Sequence, residues 1–151
     1  MADRYTSAGV KRTLMLSQLI YASDVADLDD GQVSGILQQA RTSNQMHDLT
    51  GMLVFDGHHY LQVLEGSRAA VTAAFRRIAD DSRHVNVSLI SVNDVEERDF
   101  PDWTMGYLGM TPQIRDVLNR YVPADGFHPH GLSPTVAISM LRVLRDLDAT
   151  A

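Results

Sequence analysis

Several polar or redox-capable side chains stand at positions where the surrounding pattern asks for apolar ones. Tyr21 ends an apolar run, on the same strand face as Leu19, where the ordinary reading is a core aromatic with its hydroxyl hydrogen-bonded. Gln62 stands between Leu61 and Val63 and shares a face with Tyr60 and Leu64. A carboxamide there either faces water or satisfies a neighbour, and by rotating it exchanges donor for acceptor. Asn44 prolongs the helical stripe Val33, Leu37, Ala40 by one turn. A buried amide without a partner costs about 1–3 kcal/mol, so Asn44 is either a helix C-cap or meets something polar. Arg77, Asp81, Arg83 and His84 cluster at a helix end, as a solvated charged face or as donors for a phosphate or a polar ring edge. Trp103 and Met105 are two residues apart and are expected on one strand face, where core packing also explains them. Singly, each has an ordinary reading. Together they converge on one groove.

The elements that must hold these residues follow from periodicity. Thr13–Ser23 is apolar and β-favouring, and Asp24–Asp30 is an acidic connector that offers Asp29 or Asp30 as a helix N-cap. Val33, Ile36, Leu37, Ala40 and Asn44 recur at helical intervals. Leu49–Phe55 and His58–Leu64 are strands joined by the hairpin signal Asp56-Gly57. Ser67 caps a helix with Val71, Ala74, Phe75 and Ile78 on one side; Val85–Val92 and Trp103–Gly109 are further strands. The order β-α-β-β-α-β plus one strand predicts an α+β, ferredoxin-like mixed sheet. Right-handed crossovers put both helices on one face. The first and third strands then lie side by side, so Tyr21 and Gln62 meet beneath the inter-helix groove. Pro112–Tyr121 and Ser133–Leu147 read as helices either side of a Pro/Gly/His connector. The stripe Val136, Met140, Val143, Leu144, Leu147 suits the last helix to the opposite sheet face or to a partner.

Composition narrows the function. A chain of 151 residues fits one domain, divided here into a frayed terminus (1–12), a core (13–110) and a helical extension (111–151). A formal net charge of −6 argues against nucleic acid or an anionic membrane as main partner. Absence of cysteine removes disulfides, thiolate metal sites and a cysteine nucleophile. No apolar run reaches membrane-spanning length and the start lacks a signal-peptide apolar region, so a cytoplasmic location is expected.

The runs Leu19-Ile20-Tyr21-Ala22-Ser23, Asn44 with Leu49-Thr50-Gly51-Met52-Leu53, Leu61-Gln62-Val63-Leu64-Glu65-Gly66, Asp81-Ser82-Arg83-His84, and Phe100 with Trp103-Thr104-Met105 together closely resemble the BLUF family of FAD-holding blue-light sensors. The resemblance runs from about residue 14 to 110. It implies FAD between the two helices, its ring sandwiched by Ile36 and Ile78. Asn44 would hold the flavin carbonyl edge. Ser43, before it, is shorter than the Asn or His expected there, which weakens that contact. Arg77 and Asp81 would bond the polar edge and ribityl chain, with Arg83 and His84 near the phosphate and ribose. Tyr21 matches the photoactive tyrosine and Gln62 the glutamine relay. Illumination would draw an electron and a proton from Tyr21 through Gln62. Gln62 would be left rotated or as its other tautomer, bonds to the flavin carbonyl would be rearranged, and absorption would shift to the red. Trp103 and Met105 would report the change to helices on the far face. The resemblance further implies a short, stand-alone, non-enzymatic sensor. It would be a homo-oligomer, from dimer to ring-based decamer, acting on a separate response protein.

Three other readings stay open from the residues alone. A ferredoxin-like hydrolase of the acylphosphatase kind would use Arg77, Arg83 and Asn44, although no glycine-rich phosphate cradle is present. Metal binding would use His58-His59 or His128 and His130, which lack correctly spaced partners. A scaffold that has lost light sensing is disfavoured by the joint presence of Tyr21 and Gln62.

Overall fold

A computed structural model describes residues 15–26, 30–103, 105–122 and 126–149. The expectation for residues 1–12, Thr13, Leu14 and the Asp29 cap lies outside them. Strand β1 (Leu16–Val25) is followed by helix α1 (Asp30–His47), hairpin strands β2 (Thr50–Phe55) and β3 (His59–Ser67), and helix α2 (Arg68–Asp80). Strands β4 (His84–Val95) and β5 (Gly106–Leu108) come next, then helices α3 (Pro112–Tyr121) and α4 (Pro134–Ala149). The sheet order is β4-β1-β3-β2-β5, antiparallel except for the parallel β2–β5 pair. This is the expected ferredoxin-like arrangement with a fifth strand added at one edge.

Local chemistry explains the element ends. The Asp56 carboxylate accepts from the backbone N–H of His58 and His59 at 2.9 and 2.7 Å, and Gly57 takes a φ of 99° that a side chain would strain. Ser67 Oγ accepts from Ala70 N at 3.1 Å and so caps α2. Thr111 does the same for α3, ahead of Pro112. Helix α1 runs on past Asn44 to His47, and Asp48 takes the left-handed conformation (φ 56°) that ends it. Asn44 is therefore not the C-cap.

Two cores lie on opposite sheet faces, because alternate strand residues point opposite ways. One face carries Leu19, Tyr21, Leu53, Tyr60 and Leu64 against Ile36, Leu37, Val71 and Ala74 of α1 and α2. The other carries Ile20, Met52, Leu61 and Val63 against α3 and α4, whose Ala137, Met140, Leu141 and Leu144 are fully buried. The expected stripe of α4 is thus rotated slightly, with Ala137 and Leu141 at its centre and Val136 and Val143 at its margin.

The fifth strand differs from expectation. It is confined to Gly106–Leu108, and Trp103 and Met105 precede it on opposite faces. Trp103 packs with the α3/α4 core, whereas Met105 packs beneath α1 and α2. The β2–β5 ladder begins only at Gly106, so strand alternation does not govern the residues before it; the Trp103 ring closes over Gly106, where a Cβ would stand 2.2 Å from it.

Candidate functional site

The groove between α1 and α2 is lined by Ile36, Ser43 and Asn44 from one helix, Ala74, Arg77 and Ile78 from the other, Gln62 and Leu64 beneath, and Asp81, Arg83 and His84 at one end. It is a concave site between the two helices, partly open to solvent. Its position follows from topology: right-handed crossovers put both helices over the central strands.

Beneath the groove, Tyr21 and Gln62 are direct partners across β1 and β3. The β1–β4 register shifts between Ile20 and Tyr21 and again between Ala22 and Asp24, on either side of Tyr21. The Tyr21 hydroxyl donates a short hydrogen bond to Gln62 Oε1, and Gln62 Nε2 donates to Met105 Sδ at 3.2 Å. Both Tyr21 and Gln62 are buried. Burial, reinforced by the negative forms of Tyr60 and Asp81, pushes the Tyr21 phenol far above its usual range, so it stays a donor at neutral pH. One end of the Gln62 amide thus meets a hydroxyl and the other a thioether, a weak acceptor. The pairing is lopsided, and rotation would exchange the two ends.

The polar end of the groove is held by its own charges. Arg83 forks onto the Asp81 carboxylate at 2.6–3.1 Å and donates across to Gln39 on α1. The Arg83 bonds hold the Asp81 carboxyl below its usual range, against the opposing effect of burial. Arg77 bridges the groove to Ser43 Oγ at 2.7 Å. His84 is buried, with Nδ1 2.8 Å from Ser23 Oγ, and desolvation lowers its pKa to about 4. Its ring is neutral at physiological pH. Asn44 is also buried, at 3% exposure, which places its amide in the groove wall rather than in water.

The expected site residues therefore gather around one groove, with Trp103 the exception: it lies across the sheet. Several contributors were not singled out from sequence. Gln39 lies three residues after Ile36, a spacing that could have placed it on the groove. Arg41 Nε donates to the Met105 carbonyl at 3.1 Å, and nothing local signals that contact. Tyr60 is fully buried between Phe55 and His84, its hydroxyl without a hydrogen-bond partner among the described residues, and burial pushes its phenol up to about 12. The hairpin and connector histidines do come together, with His59 and His130 both near Asp24 at 3.7 and 2.7 Å. Among the described residues, however, no group of three or more His, Asp or Glu is arranged to hold a metal ion.

A family model described as BLUF, sensors of blue-light using FAD, matches residues 16–106. The chain belongs to the BLUF family. Its relatives include the blue light- and temperature-regulated antirepressor BluF of Escherichia coli, 36% identical over 74 residues, covering 48% of this chain and 18% of that protein. The photoactivated adenylate cyclase subunit beta of Euglena gracilis is 31% identical over 125 residues, covering 68% and 15%. This BLUF chain thus spans less than a fifth of either. Solved structures cover it more fully. BlsA in its photo-activated state superposes with a TM-score of 0.79 at 25% identity, over 87% of this chain and 95% of that one. The dark state of BlrB, a BLUF protein, gives 0.74 at 27% identity, over 93% and 100%. The match is to sensors of blue light that use FAD. Among the described residues no helix is long and apolar enough to cross a membrane.

The residues present fit a flavin. Ile36 and Ile78 face the groove from opposite helices and suit a flat apolar ring. Asn44 and Gln62 offer amide donors and acceptors to its polar edge, and Arg77 and Arg83 suit a phosphate-bearing tail.

Proposed function

We propose that this protein is a blue-light receptor in which Tyr21 and Gln62 convert light absorption into a changed hydrogen-bond pattern. The observation that carries the reading is the buried chain from the Tyr21 hydroxyl through the Gln62 amide to Met105 Sδ, directly under the groove. Bound flavin supplies a blue-absorbing ring that becomes a strong oxidant when excited. Ile36 and Ile78 would hold it from either side, while Asn44, with a short reach from Ser43, would bond its edge. Arg77 and Asp81 serve the ribityl side, and Arg83 and His84 the phosphate and ribose side. The basic end of the groove and the family's description support FAD; chromatography of the flavin released from purified protein distinguishes FAD from FMN.

Tyr21 would give up an electron, with excited flavin as its oxidant, and a proton to Gln62 Oε1; the phenol then regains both, and where the proton given back comes from Nε2 the amide is left as its tautomer. The lasting change is in Gln62, whose amide turns or tautomerises. Its NH₂ then leaves Met105 and its bond to Tyr21 is rebuilt. Rotation is inexpensive because the bond given up, N–H to sulfur, is weak. Met105 reports the change, held in place by Arg41. Trp103, two residues before Met105, faces the helices α3 and α4. The output is altered association with a separate response protein through these helices or through a homo-oligomer surface. The Escherichia coli relative, named an antirepressor, supports an output of that kind.

Gln62→Leu is the direct test. The variant should bind flavin, because the groove walls are unchanged, yet show no light-induced red shift. A red shift equal to that of the wild type would overturn the role given to Gln62.

A further inference from the structure

Strand β3 presents Gln62 to the groove and Glu65, three residues on, to the opposite face. Glu65 is fully buried. Its carboxylate accepts from Gln18 Nε2 at 2.7 Å and Asp99 N at 2.9 Å through Oε2, and from Phe100 N at 2.8 Å through Oε1. A buried carboxylate needs such donors, and removing one leaves an uncompensated group. The same Gln18 amide also donates to Asp99 Oδ2 at 2.8 Å. Asp99 in turn receives Arg142 of α4 at 3.0 and 3.2 Å, and its backbone carbonyl accepts from Arg145 Nη1 at 2.8 Å. Arg145 also lies over the Phe100 ring, 5.7 Å from its centroid. Burial alone would raise the Asp99 carboxyl, but bonds from Arg142 and Gln18 outweigh it and hold it below its usual range.

Residues 99 and 100 are thus gripped from β3 on one side and from α4 on the other. Five residues after Phe100, Met105 touches the Gln62 amide, and its carbonyl is held by Arg41. Between them Trp103 O accepts from Gly51 N at 2.9 Å. A short segment therefore contacts the groove at its downstream end and α4 at its upstream end. Nothing in a solvated surface loop requires a fully buried carboxylate to pin it.

We propose that Glu65 and Asp99 are positioning residues that couple the state of the groove to α4 through the segment between Asp99 and Met105. This rests on the light-sensing reading above. When the Gln62 amide turns, Met105 loses its contact. The segment shifts against the Glu65 pin, and the Asp99–Arg142 and Asp99–Arg145 contacts pass the shift to α4.

The test is amide hydrogen exchange across α4 in the flavin-loaded full chain, in darkness and under blue light. The red shift is recorded on the same samples. The wild type should show a light-minus-dark difference in α4 together with the red shift. Glu65→Gln turns an NH₂ toward N–H donors, and Arg142→Gln removes the charged α4 partner of the Asp99 carboxylate. Both should keep the red shift and lose the α4 difference. Arg142 is half-exposed, so its variant carries the test if Glu65→Gln does not fold. A merely structural role would alter dark exchange and leave the light-minus-dark difference intact. Such a result in both variants, or no α4 difference in a wild type that does red-shift, overturns the coupling. A wild type with bound flavin and no red shift defeats the light-sensing reading itself, and the coupling with it.

Discussion

Acidification probes the buried histidine at the end of the groove. The His84 ring is desolvated and bonded to Ser23, and its pKa falls from 6.5 to about 4 in the folded protein. The folded value lies below the unfolded one, so as pH drops the unfolded chain takes up the proton first. By linkage, stability is fully present above about pH 6.5 and falls by about 1.4 kcal/mol per pH unit below it. The loss levels off near pH 4, at about 3 kcal/mol in all. Against a typical domain stability of about 5–15 kcal/mol, that is a large fraction. The assay is urea unfolding at several pH values between 4 and 7, for the wild type and for His84→Asn. Other groups titrate in both proteins, so the difference between the two slopes isolates His84. His84→Asn should be flatter by about one proton's worth across the window. Equal slopes would refute the claim that the ring is held neutral by burial.

Four other outcomes follow from the same geometry. Gln62→Leu should retain flavin and lose the red shift in a light-minus-dark absorption spectrum. Glu65→Gln and Arg142→Gln should keep that shift and abolish the light-dependent exchange of α4. Gly106→Ala puts a Cβ 2.2 Å from the Trp103 ring, so the indole must move; because Trp103 is the only tryptophan, a changed emission maximum reads this directly. Leu141→Ala empties a fully buried position between α4 and the sheet. It should cost about 2–5 kcal/mol in denaturant unfolding while leaving flavin binding on the other face unaffected.

Much of this was legible in the sequence because it is local. Helical spacing around Val33, Ile36 and Leu37, the Ser67 cap and the Asp56-Gly57 turn depend on neighbours within a few residues. They declare themselves without a fold. The pairing of Tyr21 with Gln62 was reachable too, since handedness and strand order leave few alternatives. Trp103 and Met105 were not. Their separation to opposite faces arises outside the regular ladder, which begins only at Gly106. Strand alternation, the rule that predicts one face, applies only where pairing is regular.

By itself, the order of residues determined most of the strands and helices, most of the side chains that line the groove, and the family to which the chain belongs. Tertiary structure alone decided what Glu65, Asp99 and Arg142 do, because each needs a partner 34 to 47 residues away that no local pattern names. Periodicity reports which way a side chain points. What it meets there depends on how the packed layers bring distant segments together.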